Sequence, residues 1–304
     1  MKSQNSSSFF TRVKNRVRHG YFAWLLMSPA FLYLTVIGLI PFFYVIALSF
    51  MDYSLAYVYL PRVFVGFKNF RTLVFDEWLW HALRITFTYT ALAVGLELLI
   101  GLILAILTTR NIKGKAIWRS LLLVPMVVSP IVVGLIWLQM LNPDFGVIAY
   151  LLHELGLFVG TGPTIETSTA LLTTVLMDVW HWTPFVMLIL GAGILSLPVE
   201  PYEAAIVDGA SSWQVFRHVT LPLLTPVITV VLLLRTMDAL RIFDEVWILT
   251  GGGPGSVTRY SVIHAYRISL AQFNIGYGAA ISLFLFFITL VLCSFFFNLL
   301  RGRR

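Results

Sequence analysis

The sequence predicts an all-α protein that crosses a lipid bilayer six times, and three observations carry that reading. Long runs with little or no charge recur at about 21–51, 82–109, 120–141, 167–195, 221–241 and 275–300, and a spanning helix needs about 20 mostly apolar residues to cross a hydrocarbon core of about 30 Å. The composition agrees: 59% of the 304 residues are hydrophobic and 12% are charged, with a mean hydropathy of +0.87, which excludes a water-soluble globule of average make-up. The basic residues also alternate from one inter-span segment to the next. With the N-terminus inside, the cytoplasmic segments hold 13 Lys and Arg and the external ones 6, so the positive-inside rule puts both termini in the cytoplasm.

Residues 1–20 are polar and basic, with Arg12, Lys14, Arg16 and Arg18, and read as a cytoplasmic arm ahead of a permeating domain at 21–304. The first run, 21–51, has no charge and is too long for the core of a signal peptide, so it is expected as an uncleaved span. Pro29 and Pro41 are tolerable there because neighbouring helices can satisfy the freed carbonyls. The loop 52–80 is dense in Tyr, Phe and Trp, which suits the headgroup region. The second span, 82–109, carries Glu97, and the basic turn 110–119 follows it. The third, 120–141, contains Pro125 and Pro130 and ends at the turn cluster Asn142-Pro143-Asp144-Phe145-Gly146. A short amphipathic helix is expected around Ile148–Leu155. The fourth span, 167–195, holds Asp178, His181 and Trp182; the fifth, 221–241, ends through Arg235, Asp238 and Arg241; the sixth, 275–300, is closed by Arg301-Gly302-Arg303-Arg304.

Composition and motifs also exclude chemistries. The single cysteine, Cys293, rules out an intrachain disulfide and a cysteine-cluster metal site. Six scattered histidines suggest no metal centre. No phosphate-binding G-x-x-x-x-G-K-[ST] loop, no H-E-x-x-H and no G-x-S-x-G occurs, so this chain has neither the parts for nucleotide hydrolysis nor those of the common hydrolases. The net charge of +7 is explained by the segments flanking the spans and does not call for nucleic acid.

The segment 196–222 is the extended polar stretch in the middle of the chain. Glu203-Ala204-Ala205 suit a short exposed helix, and Gly209 can take the left-handed conformation that ends it. Ser211 is placed to cap a second helix with Gln214 three residues on, and Leu221-Pro222 is expected to end it. This pattern, E-A-A followed by Asp208-Gly209-Ala210, then Trp213, Phe216 and Leu221-Pro222, resembles the EAA loop of ABC importer permeases, in particular the carbohydrate-uptake branch. Two weaker matches agree: Phe64 to Phe70 is similar to a family segment before the second span, and Phe243-Asp244 with Leu249-Thr250-Gly251-Gly252-Gly253-Pro254 is similar to one after the fifth. The resemblance implies the type I ABC importer permease fold and no covalent chemistry. It also implies alternating access, driven by ATPases that pull on the coupling loops. Glu203, Ala204, Ala205, Asp208, Gly209 and Ala210 would form the coupling element, Glu203 meeting a basic residue of the ATPase. The implied partners are a second homologous permease, ATPase subunits that bind ATP and Mg, and an extracytoplasmic solute-binding protein. This chain itself would need no cofactor.

The charges within the spans are the remaining candidates. Asp178, His181 and Trp182 share a helix face, and a carboxylate at that depth costs several kcal/mol unless paired or wetted. Asp178, Trp180 and Trp182 can line a sugar path, the rings facing apolar sugar faces and the carboxylate taking hydroxyls; alternatively Asp178 pairs with Arg235 and ties the bundle. Glu97 can pair with Arg235, be neutral, or face a vestibule. Arg235, Asp238 and Arg241 follow one another along one face of the fifth span, where Asp238 either accepts hydrogen bonds from a solute or neutralises snorkelling arginines. For Asp208, a local cap and an intersubunit contact are both open. The Gly251–Gly255 run is expected as a flexible external loop for a binding protein to dock on. Two other classes remain in view. An ion-coupled secondary transporter would show internal repeats and broken helices around an ion site, and a membrane enzyme would show clustered catalytic groups. Neither signature is visible in the sequence. Sugars, sugar phosphates, polyols and oligosaccharides all fit as solutes.

Overall fold

A computed structural model describes residues 24–57, 59, 61–110, 114–156, 167 and 169–301, with side chains to residue 298. The basic arm at 1–20 and the basic tail at 302–304 lie outside the described residues. Five described helices are long and apolar enough to cross a membrane, and a sharply bent pair supplies a sixth crossing when taken as one broken span.

Helix α1 (Trp24–Ser49) runs through both of its prolines. A π turn at Thr35–Leu39 precedes Pro41, and the Ile40 N–H bonds back to Thr35 O. Such a widened turn lets the helix continue where proline withholds its own donor. α1 leans on the last helix through Phe42 and Phe286, whose ring centroids are 5.2 Å apart, and leaves most of its surface exposed. After it, strands β1 (Met51–Asp52) and β2 (Val63–Phe64) pair antiparallel, Met51 opposite Phe64. A short helix α2 (Lys68–Val74) leads into α3 (Glu77–Thr109).

The second span begins five residues before the expected Ala82. Asp76 is its N-cap, with a carboxylate oxygen accepting from the Leu79 N–H at 3.1 Å. The capping signal lies upstream of the hydropathy signal, so the aromatic residues Trp78 and Trp80 fall inside the helix. At 33 residues, α3 is about 50 Å long and overreaches a core of about 30 Å.

The third span departs most from expectation. Instead of one helix over 120–141, the chain forms α4 (Lys115–Val127) and α5 (Pro130–Met140), bent by 98°. Proline disfavours helical geometry in the residue before it, and Val128 and Ser129 are extended, with ψ of 138° and 140°. Pro130 then occupies the first turn of α5, where its missing N–H costs nothing. The surface helix expected at 148–155 appears as α6 (Val147–Glu154).

α7 (Ala170–Leu195) is the central span, with much of its length buried. The loop after it forms α8 (Glu200–Val207) and a turn at Gly209, then enters α9 (Ser212–Ala239). Contrary to expectation, Leu221-Pro222 does not end the second helix of the knuckle, which continues as the fifth span. A π turn at Phe216–Thr220 shifts the bonding by one residue, with Leu221 N–H bonding Phe216 O, and so admits Pro222 to the next turn. α10 (Asp244–Thr250), α11 (Ser261–Tyr266) and the last span α12 (Ile275–Arg301) complete the chain.

Close approach of backbones holds the bundle together, as expected where water does not drive helices together. A Cβ on Gly101 of α3 would lie 2.6 Å from Val186 Cγ1 of α7, and one on Gly193 of α7 would lie 2.9 Å from Leu224 of α9. α5 seats against α10 in the same way, Gly134 facing the Glu245 carbonyl, which a Cβ would meet at 2.9 Å.

Candidate functional site

Arg235 of α9 is the largest fully buried side chain, 1% exposed, and its guanidinium gathers carboxylates from three helices. Nε and Nη2 donate to the two oxygens of Glu97 on α3 at 2.6 and 2.8 Å, Nη2 also donates to Asp178 on α7 at 3.0 Å, and Nη1 donates to Asp238 one turn on at 2.5 Å. The Trp182 ring covers the guanidinium at 4.8 Å. Counted from Thr109, Leu221 and Leu195, which line a common cleft or flank it at one end of the bundle, Glu97, Arg235 and Asp178 lie about 18, 21 and 25 Å in. They therefore meet at one level. A planar fork can serve three carboxylates at once, which a lysine ammonium could not do in this geometry.

A second buried pair adjoins this knot. His181 Nδ1 lies 3.0 Å from Glu245 Oε1 of α10, and its Nε2 lies 3.1 Å from the Val128 carbonyl. That carbonyl is one of those freed where α4 and α5 part. His181 thus satisfies the break and links it to α10. Sequence reasoning missed Glu245 as a site residue. Its signal was an acidic pair, Asp244-Glu245, directly before the apolar run Val246-Trp247-Ile248-Leu249.

Knot and pair share a cleft of about 100 Å³ walled by Asp178, Asp238, Asp244, Glu245, Trp182 and Phe243, with Arg241 at its side. The side chain of Asp238 is 48% exposed, in contrast to Glu97 and Asp178. Glu245 Oε2 is buried and accepts no hydrogen bond from the described residues. Of the residues singled out in the sequence, Asp178, Trp182, Arg235, Asp238 and Glu97 come together here. Trp180 does not: it points to another face, edge-on to Trp137 at 6.2 Å, because two residues along a helix turn the side chain by more than a right angle. Arg241 folds its Nε onto the Met237 carbonyl at 3.1 Å.

The second candidate element projects from the other end of the bundle. In α8, Glu203 and Ala204 are exposed and Ala205 is half-buried. Gly209 adopts φ +72°, which glycine alone takes without strain, and Ala210 N–H bonds back to Ala205 O at 3.0 Å. Ser211 and Gln214 form a reciprocal capping box. Tyr202 braces the knuckle, its hydroxyl donating to Thr220 Oγ1 at 3.1 Å. The Asp208 carboxylate is exposed, with no side-chain hydrogen bond among the described residues. Beside it Ile206, Val207 and Trp213 are exposed as well, an apolar patch rimmed by acids.

The glycine-rich run is held more firmly than the sequence suggested. Arg267 Nη2 donates to Gly251 O at 2.6 Å, and Thr258 Oγ1 donates to Gly253 O at 2.6 Å and meets Thr250 Oγ1 at 2.7 Å.

A family model described as the binding-protein-dependent transport system inner membrane component matches residues 97–304. The chain belongs to this family. It is 36% identical over 253 residues to the trehalose/maltose transport system permease protein MalF of Thermococcus litoralis, covering 80% of this chain and 82% of that protein. It is 33% identical over 303 residues to the trehalose transport system permease protein SugA of Mycobacterium tuberculosis, covering 98% and 95%. Among solved structures, a bacterial ABC transporter that imports the acidic polysaccharide alginate superposes with a TM-score of 0.81 at 22% identity, over 96% of this chain and 99% of that one. The protein is therefore a multi-pass permease of the inner membrane with the type I importer fold, and the family is one of membrane-embedded transport components.

Proposed function

We propose that this permease carries a carbohydrate, as one half of a translocation path completed by a homologous permease subunit. The observation that supports it best is the likeness to trehalose and maltose permeases along nearly the whole chain. The cleft is consistent with that cargo, since carboxylate acceptors beside aromatic faces suit a molecule with hydroxyls on its rim and C–H groups on its faces. ATP and Mg belong to separate ATPase subunits, and an extracytoplasmic binding protein delivers the solute. Glu203, Ala204, Ala205, Asp208, Gly209 and Ala210 form the coupling element, with Ile206, Val207 and Trp213 as the apolar surface that the ATPase covers. Both termini and α8 face the cytoplasm, in keeping with the 13 to 6 division of basic residues. Closure of the ATPases moves the two α8 knuckles and rocks the bundles, which opens the path alternately to each side.

Reconstitution tests this directly. Proteoliposomes holding both permeases and the ATPase, supplied with the binding protein, should take up a sugar only with ATP inside. Glu203→Lys should abolish uptake while leaving the spans inserted. In a Cys293→Ser background, a cysteine at 203 should react with an impermeant thiol reagent only in inside-out vesicles. ATP-independent uptake, or labelling of 203 from outside, refutes the reading.

A further inference from the structure

A cavity of about 430 Å³ lies where the spans α3, α7 and α9 meet the α8 knuckle. Its walls are mostly apolar, built by Ile106 of α3, Ile194 of α7, and Val215 and Phe216 near the start of α9, while Tyr202 and Ala210 of the knuckle close one side. Arg110 is the one charged residue among the described residues that line it, so no carboxylate there offsets the charge. Arg110 is exposed and makes no ion pair with the described residues. Arg119 is already committed, its Nη2 donating to Thr108 O at 2.6 Å and pinning the turn to the end of α3. The sequence has no acid between Glu97 and Asp144, whereas Arg110, Lys113, Lys115 and Arg119 fall in that interval. Thr109 and Ile194, at the ends of their spans, both line the cavity, which puts it at the level of the headgroups. A soluble anion would leave the Ile, Val and Phe walls unused, and a wholly apolar molecule would leave Arg110 without a counter-charge. A molecule that is hydrocarbon at one end and anionic at the other satisfies both.

We propose that this cavity holds one anionic phospholipid, its acyl chain against Ile106, Ile194 and Phe216 and its phosphate on Arg110. Basic pockets between spanning helices at the cytoplasmic side retain anionic headgroups in this way. The lipid seats the knuckle on the bilayer, because Tyr202 lines the cavity while its hydroxyl holds Thr220 of α9 at 3.1 Å. The site is separate from the solute cleft, and of the three apolar residues assigned to the ATPase only Ile206 lines it. Its place in the cytoplasmic leaflet rests on the topology given above; the site itself does not depend on the cargo or on the import reading.

Native mass spectrometry of the assembled permease–ATPase complex, released from nanodiscs of equal phosphatidylglycerol and phosphatidylcholine, reads the lipid that stays bound. Phosphatidylglycerol should be retained about fivefold over phosphatidylcholine, the size expected for one basic residue facing an anionic headgroup. Arg110→Gln should bring that ratio close to one. Ile106→Trp fills the hollow but leaves Arg110 in place, and it should lower retention of phosphatidylglycerol about fivefold or more. The exposed Arg110 keeps the test valid if Ile106→Trp reduces the amount of complex. Inorganic phosphate in large excess should leave the lipid bound; its displacement by phosphate marks a free-anion site and overturns the proposal. Equal retention of the two lipids, as when a segment of the ATPase fills the cavity, overturns it too. So does a ratio unchanged in Arg110→Gln or retention unchanged in Ile106→Trp. Thiol labelling at position 203 separates the failures. Loss of lipid selectivity removes the site alone, whereas labelling of 203 from outside removes the assignment to the cytoplasmic leaflet together with the topology.

Discussion

Replacing Arg235 with leucine should be among the most damaging single changes in the bundle. The substitution conserves apolar bulk but leaves Glu97 and Asp178, 0% and 2% exposed, without their counter-charge. Removing one partner of a buried ion pair typically costs about 3–5 kcal/mol, and here two buried carboxylates lose the same partner. Arg235→Lys keeps the charge but loses the two-pronged grip on Glu97 at 2.6 and 2.8 Å. Loss of one hydrogen bond to a charged group, about 1.5–3 kcal/mol, is expected for it. Adding Glu97→Gln to Arg235→Leu removes one of the stranded charges and should recover part of the loss. Thermal unfolding of the detergent-solubilised complex, alongside the amount assembled, gives the order: unaltered protein, then Arg235→Lys, then the double variant, then Arg235→Leu. An Arg235→Leu protein that unfolds at the unaltered temperature, or a double variant no better than the single one, refutes the account of Arg235 as the tie between α3, α7 and α9.

Gly101→Val should lower the yield of folded protein by overpacking worth about 1–3 kcal/mol, since even a Cβ there would meet Val186 at 2.6 Å. Val186→Ala should restore part of that yield, and absence of any rescue counts against the α3–α7 contact as the cause. The N-terminal cap of α3 should make stability acid-sensitive. Burial holds the His264 pKa below its ordinary value even though Asp76 lies 3.4 Å away. Burial alone would raise Asp76, but donors from Tyr277, the Leu79 N–H and His264 outweigh it and hold the carboxyl below its usual range. In both cases the unfolded chain binds the proton more readily, so stability is complete above the ordinary pKa values and falls with pH. The loss begins below about pH 6.5 for His264 and below about pH 4 for Asp76. His264→Gln should flatten the unfolding temperature between pH 7 and 5; a profile as steep as that of the unaltered protein refutes the assignment to His264.

What the sequence determines by itself is whatever depends on neighbours along the chain. Apolar runs long enough for a bilayer, basic residues in the turns, the Ser211–Gln214 capping box and the left-handed Gly209 can all be read from local spacing. The same holds for the knuckle at α8 and for the family, because the residues that carry both, Glu203-Ala204-Ala205 and Asp208-Gly209-Ala210, follow one another along the chain. Breaks were harder to read. Pro41, Pro130 and Pro222 look alike as letters, yet a π turn absorbs the first and third, and only Ser129-Pro130 parts its helix. The difference lies in what receives the freed carbonyl, and at Val128 that receiver is His181, 53 residues away. Charge partners were harder still. Glu97, Asp178 and Arg235 are separated by 57 to 138 residues, so the sequence could name Arg235 as a partner but not choose which carboxylate it would take. The fold gave it both. Packing of α3, α7 and α9 at one depth decided that, because hydrogen bonding to a buried guanidinium is settled by which acceptors the tertiary structure brings within about 3 Å.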